Sequence, residues 1–492
     1  MKSNASSLVG FALCMASTLA SPAAHAFCGF FVSGADRKLY NDATFVVLAR
    51  LGEQTTLSMQ NSYQGPPEDF AMVVPVPVVL QKDDVKTLAD DVFDRVDRLT
   101  APRLVEYWEQ NPCAGQKEGK RPGLSWAMSR PDNSMKELTP RAQIRVEAEF
   151  AVGEYEIVIL SANDSTALDG WLREHQYKIP EGAESALRPY VAGGSKFFVA
   201  KVNASKVRFD NGRAVLSPLR FQYASPQFTL PMRLGLLNSK GTQDLIVVTL
   251  GQKRYEAANY KNVFMTTNVE VEDSTRERFG EFYTALFDRV LAQTPNAVVT
   301  EYAWNPGSCD PCPEPPLTDL DMERLTGGPS FWGGVLTRLH IRYNKDSLGE
   351  DLVFREAPPV TGGRGIWEKH GLPRGTEPAE FQDAFQTRFI IRHPWPGSIT
   401  CAEPQRNQWG APPEGVAAPS PAAATDLATV DRKAVDLAAS LRMDVPELGL
   451  LVPALEAPDK HAVFPRGFLA GIFAGLALAC AEIFRRIVPG KT

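Results

Sequence analysis

Two apolar segments, one near each end of the chain, decide how much of it can fold as a globule. Leu8–Ala20 (LVGFALCMASTLA) carries no charge; Lys2 precedes it, and Pro22 and Ala24-His25-Ala26 follow. A basic start, a short apolar run and a small-x-small site, in that order, make a secretory signal. The run is too short to span a bilayer, which takes ~20 apolar residues. Cys14 and Cys28 follow Leu13 and Phe27, bulky neighbours for a lipid-modified cysteine. At the other end, Gly467–Phe484 (GFLAGIFAGLALACAEIF) holds one charge, Glu482. As a helix it rises ~27 Å, close to a ~30 Å hydrocarbon core. Glu482 lies near the end of the span, on the helical face of Arg485 and Arg486, where pairing lowers its cost. The arginines after the span set the tail on the cytoplasmic side. A sorting tail removed after export has the same pattern.

The expected plan is therefore 1–26 signal peptide, 27–401 folded extracytoplasmic region, 402–463 stalk, 464–488 transmembrane anchor and 489–492 cytoplasmic tail. In a Gram-negative cell the bulk would face the periplasm from the inner membrane. Gly410–Pro421 (GAPPEGVAAPSP) is too rich in Pro and Ala to build a core. Leu427, Val430, Ala434, Leu437 and Leu441 then fall at helical spacing. That short amphipathic helix could dock on the body, lie on the membrane or pair with a second chain. A flexible linker of this length reaches ~45 Å. A net charge of −6 leaves no electrostatic footprint for nucleic acid.

Within 27–401 most apolar patterns are strand-like. The candidates are 43–51, 55–61, 70–76, 142–150, 155–161, 196–202, 214–223, 233–237, 245–250, 259–271, 336–343 and 385–392. Helical spacing appears over 85–99, over 166–176 after a Ser165 cap, and over 274–293, where Ser274 and Glu277 have capping-box spacing. Steady βαβ alternation is absent. The expected fold class is α+β, predominantly antiparallel β with inserted helices, plus a single C-terminal transmembrane helix. Two candidate lobes are 27–301 and 302–401.

One pattern occurs three times: an apolar run, a polar loop, then an acid leading into a second run. It covers Leu57–Val74, Leu234–Val248 and Leu339–Phe354. Three related β-hairpins would produce it. In such hairpins Asp69, Asp244 and Asp351 would fix turns by accepting backbone N–H bonds two residues on. Glu68/Asp69 and Glu350/Asp351 are also the candidate carboxylate pairs for a cation or for acid–base chemistry.

Phe27–Val32 (FCGFFV), Tyr63–Pro77 (YQGPPEDFAMVVPVP), Asn305–Cys312 (NPGSCDPC) and Leu336–Tyr343 (LTRLHIRY) resemble a bacterial secreted family, domain-of-unknown-function family 2330. The resemblance covers most of 27–401. It implies envelope placement and no particular activity.

Removal of Cys14 with the signal, and placement of Cys480 in the span, leave Cys28, Cys113, Cys309, Cys312 and Cys401 on the oxidising side. Two disulfides and one free thiol are expected. The preferred pairing joins Cys28 to Cys113 and two of the other three. Cys309-Asp310-Pro311-Cys312 has the spacing of thiol–disulfide oxidoreductases, yet Pro313, Pro315 and Pro316 oppose the helix that acidifies such thiols. A structural staple is the expected role. His25, His175, His340, His370, His393 and His461 are far apart, so neither a metal site nor a cofactor is expected. Gly362-Gly363-Arg364-Gly365 reads as a turn more than an anion loop. Trp304, Trp332, Trp367, Trp395 and Trp409 could line a glycan or peptide face, or pack. The leading reading is a membrane-anchored binding or scaffold module, its partner an envelope protein, a glycan or its own copies. The alternative is an envelope enzyme, most testably a redox enzyme at Cys309/Cys312.

Overall fold

The computed structural model describes residues 30–32, 43–60, 71–113 and 144–452, less 176, 178, 211–212, 239–241, 329–332, 345, 366–371, 414–415, 417–421 and 424–434. The signal segment, Cys28, Glu68, Asp69 and the 464–488 segment lie outside these residues. Among the described residues no helix is long and apolar enough to cross a membrane.

In chain order the elements used below are β1 (Ala43–Leu51), β2 (Gln54–Met59), β3 (Ala71–Val76), α1 (Asp91–Thr100), β4 (Arg103–Glu109), β5 (Arg145–Val152), β6 (Tyr155–Ser161), α2 (Ser165–Glu174) and α3 (Ala183–Ala192). Next come β7 (Lys196–Val202), β8 (Leu219–Ala224), β9 (Gln243–Gly251), α4 (Phe279–Gln293), β10 (Ala297–Trp304), α5 (Asp319–Thr326), β11 (Val335–Tyr343), β12 (Leu352–Glu356), β13 (Arg388–His393) and β14 (Trp409–Gly410).

An 11-stranded sheet runs through β10-β11-β9-β1-β2-β8 at its centre. A five-stranded sheet, Phe30–Val32 with β3-β7-β6-β5, packs on one of its faces. Most pairings are antiparallel; β1 with β9 and β4 with β13 are parallel. The fold is thus α+β with mainly antiparallel strands, as the sequence pattern indicates.

Why the strands read as they do follows from the layers. Val46 and Leu48 of β1 face the inter-sheet core with Met72, Ile157 and Phe198. Val47 and Ala49 face the other way, under Val92, Phe93 and Val96 of α1 and Leu325 of α5. A strand covered on both faces reads as a continuous apolar run. The outer face of the five-stranded sheet is closed by Leu168 and Leu172 of α2 and Leu187 of α3. Each such side chain, fully buried, contributes ~1.5–3 kcal/mol.

Several expectations fail for identifiable reasons. None of the three proposed hairpins exists. β2 pairs with β1 and β8, whereas β3 pairs in the other sheet; Arg233–Asn238 is a 3-10 turn; β11 and β12 have different partners. The repeated pattern reflects shared composition at strand ends. Asp164, not Ser165, caps α2 through the Ala167 N–H at 2.8 Å, and the Ser165 hydroxyl donates to Glu184 at 2.6 Å. Ser274 lies in a separate 3-10 turn, Asp273–Arg278, before α4. β10 crosses 301/302 with all eight residues buried, so that position does not separate two lobes. The described residues of the expected 402–463 stalk pack on the body. Arg406 and Asn407 bond to the body, and Leu441, Val445 and Leu448 fill a core with Phe282, Leu286 and Phe389. Of the residues expected at helical spacing, Leu437 and Leu441 pack on that core, while Leu427, Val430 and Ala434 lie outside the described residues.

Candidate functional site

The described candidate acids do not converge on an open site. The Asp351 carboxylate accepts the Tyr190 hydroxyl at 2.6 Å and the Met232 N–H at 2.9 Å, tying α3 to the 230–233 segment. This carboxylate bridges distant segments and does not close its own turn. Glu350 meets the Tyr260 hydroxyl through its backbone, its N–H donating at 2.9 Å and its carbonyl accepting at 2.7 Å. Among the described residues no group of three or more His, Cys, Asp or Glu could hold a metal.

The densest charge cluster was hidden inside strands. Glu301 stands in the middle of β10, with Arg338 and His340 opposite on β11 and Asp244 beyond them on β9. His340 donates from Nδ1 to Glu301 Oε1 at 2.6 Å and from Nε2 to Asp244 Oδ1 at 3.2 Å. Tyr283 of α4 donates to the same Glu301 oxygen, and Arg338 Nε donates to the other at 2.7 Å. Arg342 Nε holds Asp244 at 2.6 Å, and Phe287 stacks on the His340 ring at 3.8 Å. Arg338 reaches Asp97 of α1 at 2.5 Å. Burial pushes the imidazole of His340 down, but Glu301 and Asp244 outweigh it and lift it to about 9. Burial alone would raise Glu301 and Asp244; their cationic partners hold both below the usual carboxylate range.

This is a sealed network. Glu301 is 0% exposed and His340 1%. A general base must reach the proton it abstracts, directly or through one water. Here each acid is consumed by neighbours, and the network clamps three strands of the central sheet to α1 and α4. Asp244, read from sequence as a turn residue, belongs to it. The strand β10 was missed because Glu301 interrupts an otherwise apolar run.

The cysteines form two bonds among the described residues. Cys113 pairs with Cys401, with Cα atoms 5.5 Å apart, and Cys309 with Cys312 at 4.9 Å. Cys113 therefore bonds Cys401, not Cys28; spacing along the chain carried no information on which termini meet. Cys309 and Cys312 lie in the loop between β10 and α5, and α5 is capped by Thr318, well past Cys312. Neither sulfur sits at a helix N-terminus. Arg103, wholly buried, donates to the Pro311 carbonyl at 2.5 Å, and Gly365 N donates to Asp310 at 2.7 Å. The Gly-rich 362–365 stretch is thus the packing partner of the Cys-rich loop. At Gly363, φ is +64° and a Cβ would come within 1.8 Å of the Gln386 carbonyl oxygen, so only glycine fits.

At the end of β4, Glu109 is a second clamp. Its carboxylate accepts Arg406 Nε at 2.7 Å, Asn407 N at 2.8 Å and Trp395 N at 3.0 Å. The Arg406 bond and the two backbone bonds overcome desolvation and push its carboxyl down to about 2. Trp409 carries Arg392 over its ring at 5.3 Å, and Trp108 stacks on His393 at 4.7 Å. Successive residues on a strand face opposite sides. The pairing of Trp409 with Glu109 therefore places the Trp108 and Trp409 pairs on opposite faces of the sheet. Trp304 is buried in the central core. Trp332 and Trp367 lie outside the described residues. Trp108, Trp304 and Trp409 therefore do not share one aromatic face.

The described residues define a layered, sheet-rich α+β body with disulfides at Cys113–Cys401 and Cys309–Cys312. The chain belongs to the family described as "Uncharacterized protein conserved in bacteria (DUF2330)", which matches residues 22–355. No curated protein and no solved structure matches it. The match includes the Glu301–His340 network and the Cys309–Cys312 loop and stops before Cys401.

Proposed function

We propose that the protein is an exported, membrane-anchored binding or scaffold module of the bacterial cell envelope. The observation that carries this reading is the Cys113–Cys401 bond, which closes a separation of 288 residues. Such bonds persist in oxidising compartments outside the cytoplasm. The signal pattern at 1–26 and the apolar segment at 464–488 agree with that placement. The sealed network of Glu301, His340 and Asp244 supports a stable body over an active site. Leu451 is 65% exposed near the end of the described chain, close in sequence to the proposed anchor.

The alternative, a thiol–disulfide oxidoreductase, draws on Cys312, which is exposed. It lacks the helix N-terminus that lowers the attacking thiol in such enzymes. Crosslinking pull-down from native membranes tests the proposal, with a Cys309→Ser/Cys312→Ser chain alongside. Capture of the same partner by both chains is the expected result. Loss of capture in the double variant, with insulin reduction by the wild type, would favour the enzyme.

A further inference from the structure

Arg103 opens β4 and Arg388 opens β13, and the parallel register sets them directly opposite each other. Both are 0% exposed. Like charges on facing strand positions repel, and a buried charge is costly unless an opposite one meets it. The groups that meet these two are neutral. Arg103 donates to the Leu99 and Pro311 carbonyls, each at 2.5 Å. Arg388 donates from Nε to the Asn268 amide oxygen at 2.8 Å and from Nη1 to the Asp310 carbonyl at 3.4 Å, with the Tyr107 hydroxyl also in reach. Its Nη2 is buried and has no hydrogen-bond partner. The charge of the Asp310 carboxylate acts on both guanidiniums, but that carboxylate accepts the Gly365 N–H at 2.7 Å. Among the described residues two buried positive charges thus face one carboxylate, with a donor left over.

The Cys309–Cys312 loop covers this pair. Asp310 and Pro311, the two residues inside the disulfide ring, supply the carbonyls that Arg388 and Arg103 hold. Carbonyl oxygens answer the N–H groups and leave the charge uncompensated. An oxyanion answers both, in the planar geometry that suits a guanidinium. Half-buried Tyr107, Asp310 and Gly365 stand around the pair. A Cβ built on Gly365 would lie 3.2 Å from Asp310 Oδ1 and from the Tyr107 hydroxyl, and 3.4 Å from Arg388 Nη1. Cys312 is exposed, so a thiolate in solvent can attack the bond.

We propose that Arg103 and Arg388 form an oxyanion site, covered by the Cys309–Cys312 loop while its bond is closed and uncovered when the bond is reduced. A dithiol is the reductant. It passes two electrons and two protons to the bond, Cys309 and Cys312 become thiols, and the dithiol leaves as a disulfide. The loop is then no longer held in a ring, its carbonyls leave the guanidiniums, and a phosphate or carboxylate takes their place. This goes beyond the reading of the chain as a binding module, which concerns an envelope partner and not a small anion.

Two full-length chains in detergent test it: the wild type with its bonds closed, and Cys309→Ser/Cys312→Ser, which stands for the open loop. Each is titrated by calorimetry with inorganic phosphate and with acetate, against chloride at equal ionic strength. The open chain should bind one of these anions ~10-fold or more tightly than the closed chain, within the usual range of coupling between sites. The anion with the larger gain tells phosphate chemistry from carboxylate chemistry. Arg388→Gln in the open chain, shown to be folded by circular dichroism, should lose the gain. A second measurement needs no substitution. Wild-type chain is equilibrated in a dithiol/disulfide buffer, alkylated and mapped by mass, which reads Cys309–Cys312 apart from Cys113–Cys401. Saturating anion should move the Cys309–Cys312 equilibrium ~10-fold toward the thiols, ~30 mV for a two-electron couple. Equal affinity in the closed and open chains, a gain that survives Arg388→Gln, or an equilibrium indifferent to the anion overturns the proposal. None of these results bears on the pull-down of an envelope partner, so the failures of the two readings are separable.

Discussion

Replacing Glu301 by Gln tests whether the buried charge network holds the central sheet. The substitution keeps the shape and removes the charge that faces Arg338 and His340, both 1% exposed. Breaking a buried pair on one side costs ~3–5 kcal/mol, because the remaining charge stays buried. At ~2 °C per kcal/mol for a large domain, the thermal midpoint should fall by ~6–10 °C. The pH dependence gives a second reading. His340 is lifted to about 9 in the folded protein from 6.5. A raised folded value means that the stabilisation is complete below ~6.5 and is lost as pH rises through ~9, up to ~3 kcal/mol in all. In Glu301→Gln that slope should flatten, since Glu301 is the strongest group holding the proton on. Urea unfolding of both chains across that window, followed by far-UV circular dichroism, reads both effects. A loss under ~1 kcal/mol with an unchanged slope would refute the argument, since such a value is typical of an exposed ion pair.

Other consequences follow from the disulfides, a glycine and the C-terminal segment. Opening Cys113–Cys401 by Ser substitution should cost ~3–5 kcal/mol, the range for a very long closed loop, whereas opening Cys309–Cys312 should cost ~2 or less; urea midpoints of equal or reversed order would contradict the assignment. Gly363→Ala should lower the unfolding free energy by ~2 kcal/mol or more, read from urea unfolding, because its Cβ has no room and its φ is positive; a neutral result would mean that the 362–365 loop is not packed on Gln386. Leu441→Ala should destabilise the body by ~2–4 kcal/mol if the C-terminal segment belongs to it. A free stalk would give no change in the calorimetric midpoint.

Much of the sheet was legible because apolar runs stay visible when both faces are covered. The bounds of β1, β6 and β7 coincide with the runs 43–51, 155–161 and 196–202. The failures share a cause. β10 and β4 carry Glu301, Arg103, Glu106 and Glu109 among their apolar residues, and a charge inside a run reads as a surface position. Only long-range pairing, of Glu301 with His340 and Arg338 or of Glu109 with Arg406, makes such a charge tolerable inside a strand. Local sequence holds no record of that pairing. The partner of Cys113 was illegible for the same reason. The docked C-terminal segment was misread because its composition is that of a linker, while its apolar positions, Leu441, Val445 and Leu448, are spaced for packing.

The central claim is that this is an exported body closed by a bond between Cys113 and Cys401. Peptide mapping without reduction, on protein taken from native membranes with thiols trapped at lysis, tests it most directly. The account predicts a peptide carrying Cys113 joined to one carrying Cys401, Cys309 joined to Cys312, and a mature chain starting after Ala26. Recovery of Cys113 and Cys401 as alkylated free thiols, on a chain that still begins at Met1, would contradict it.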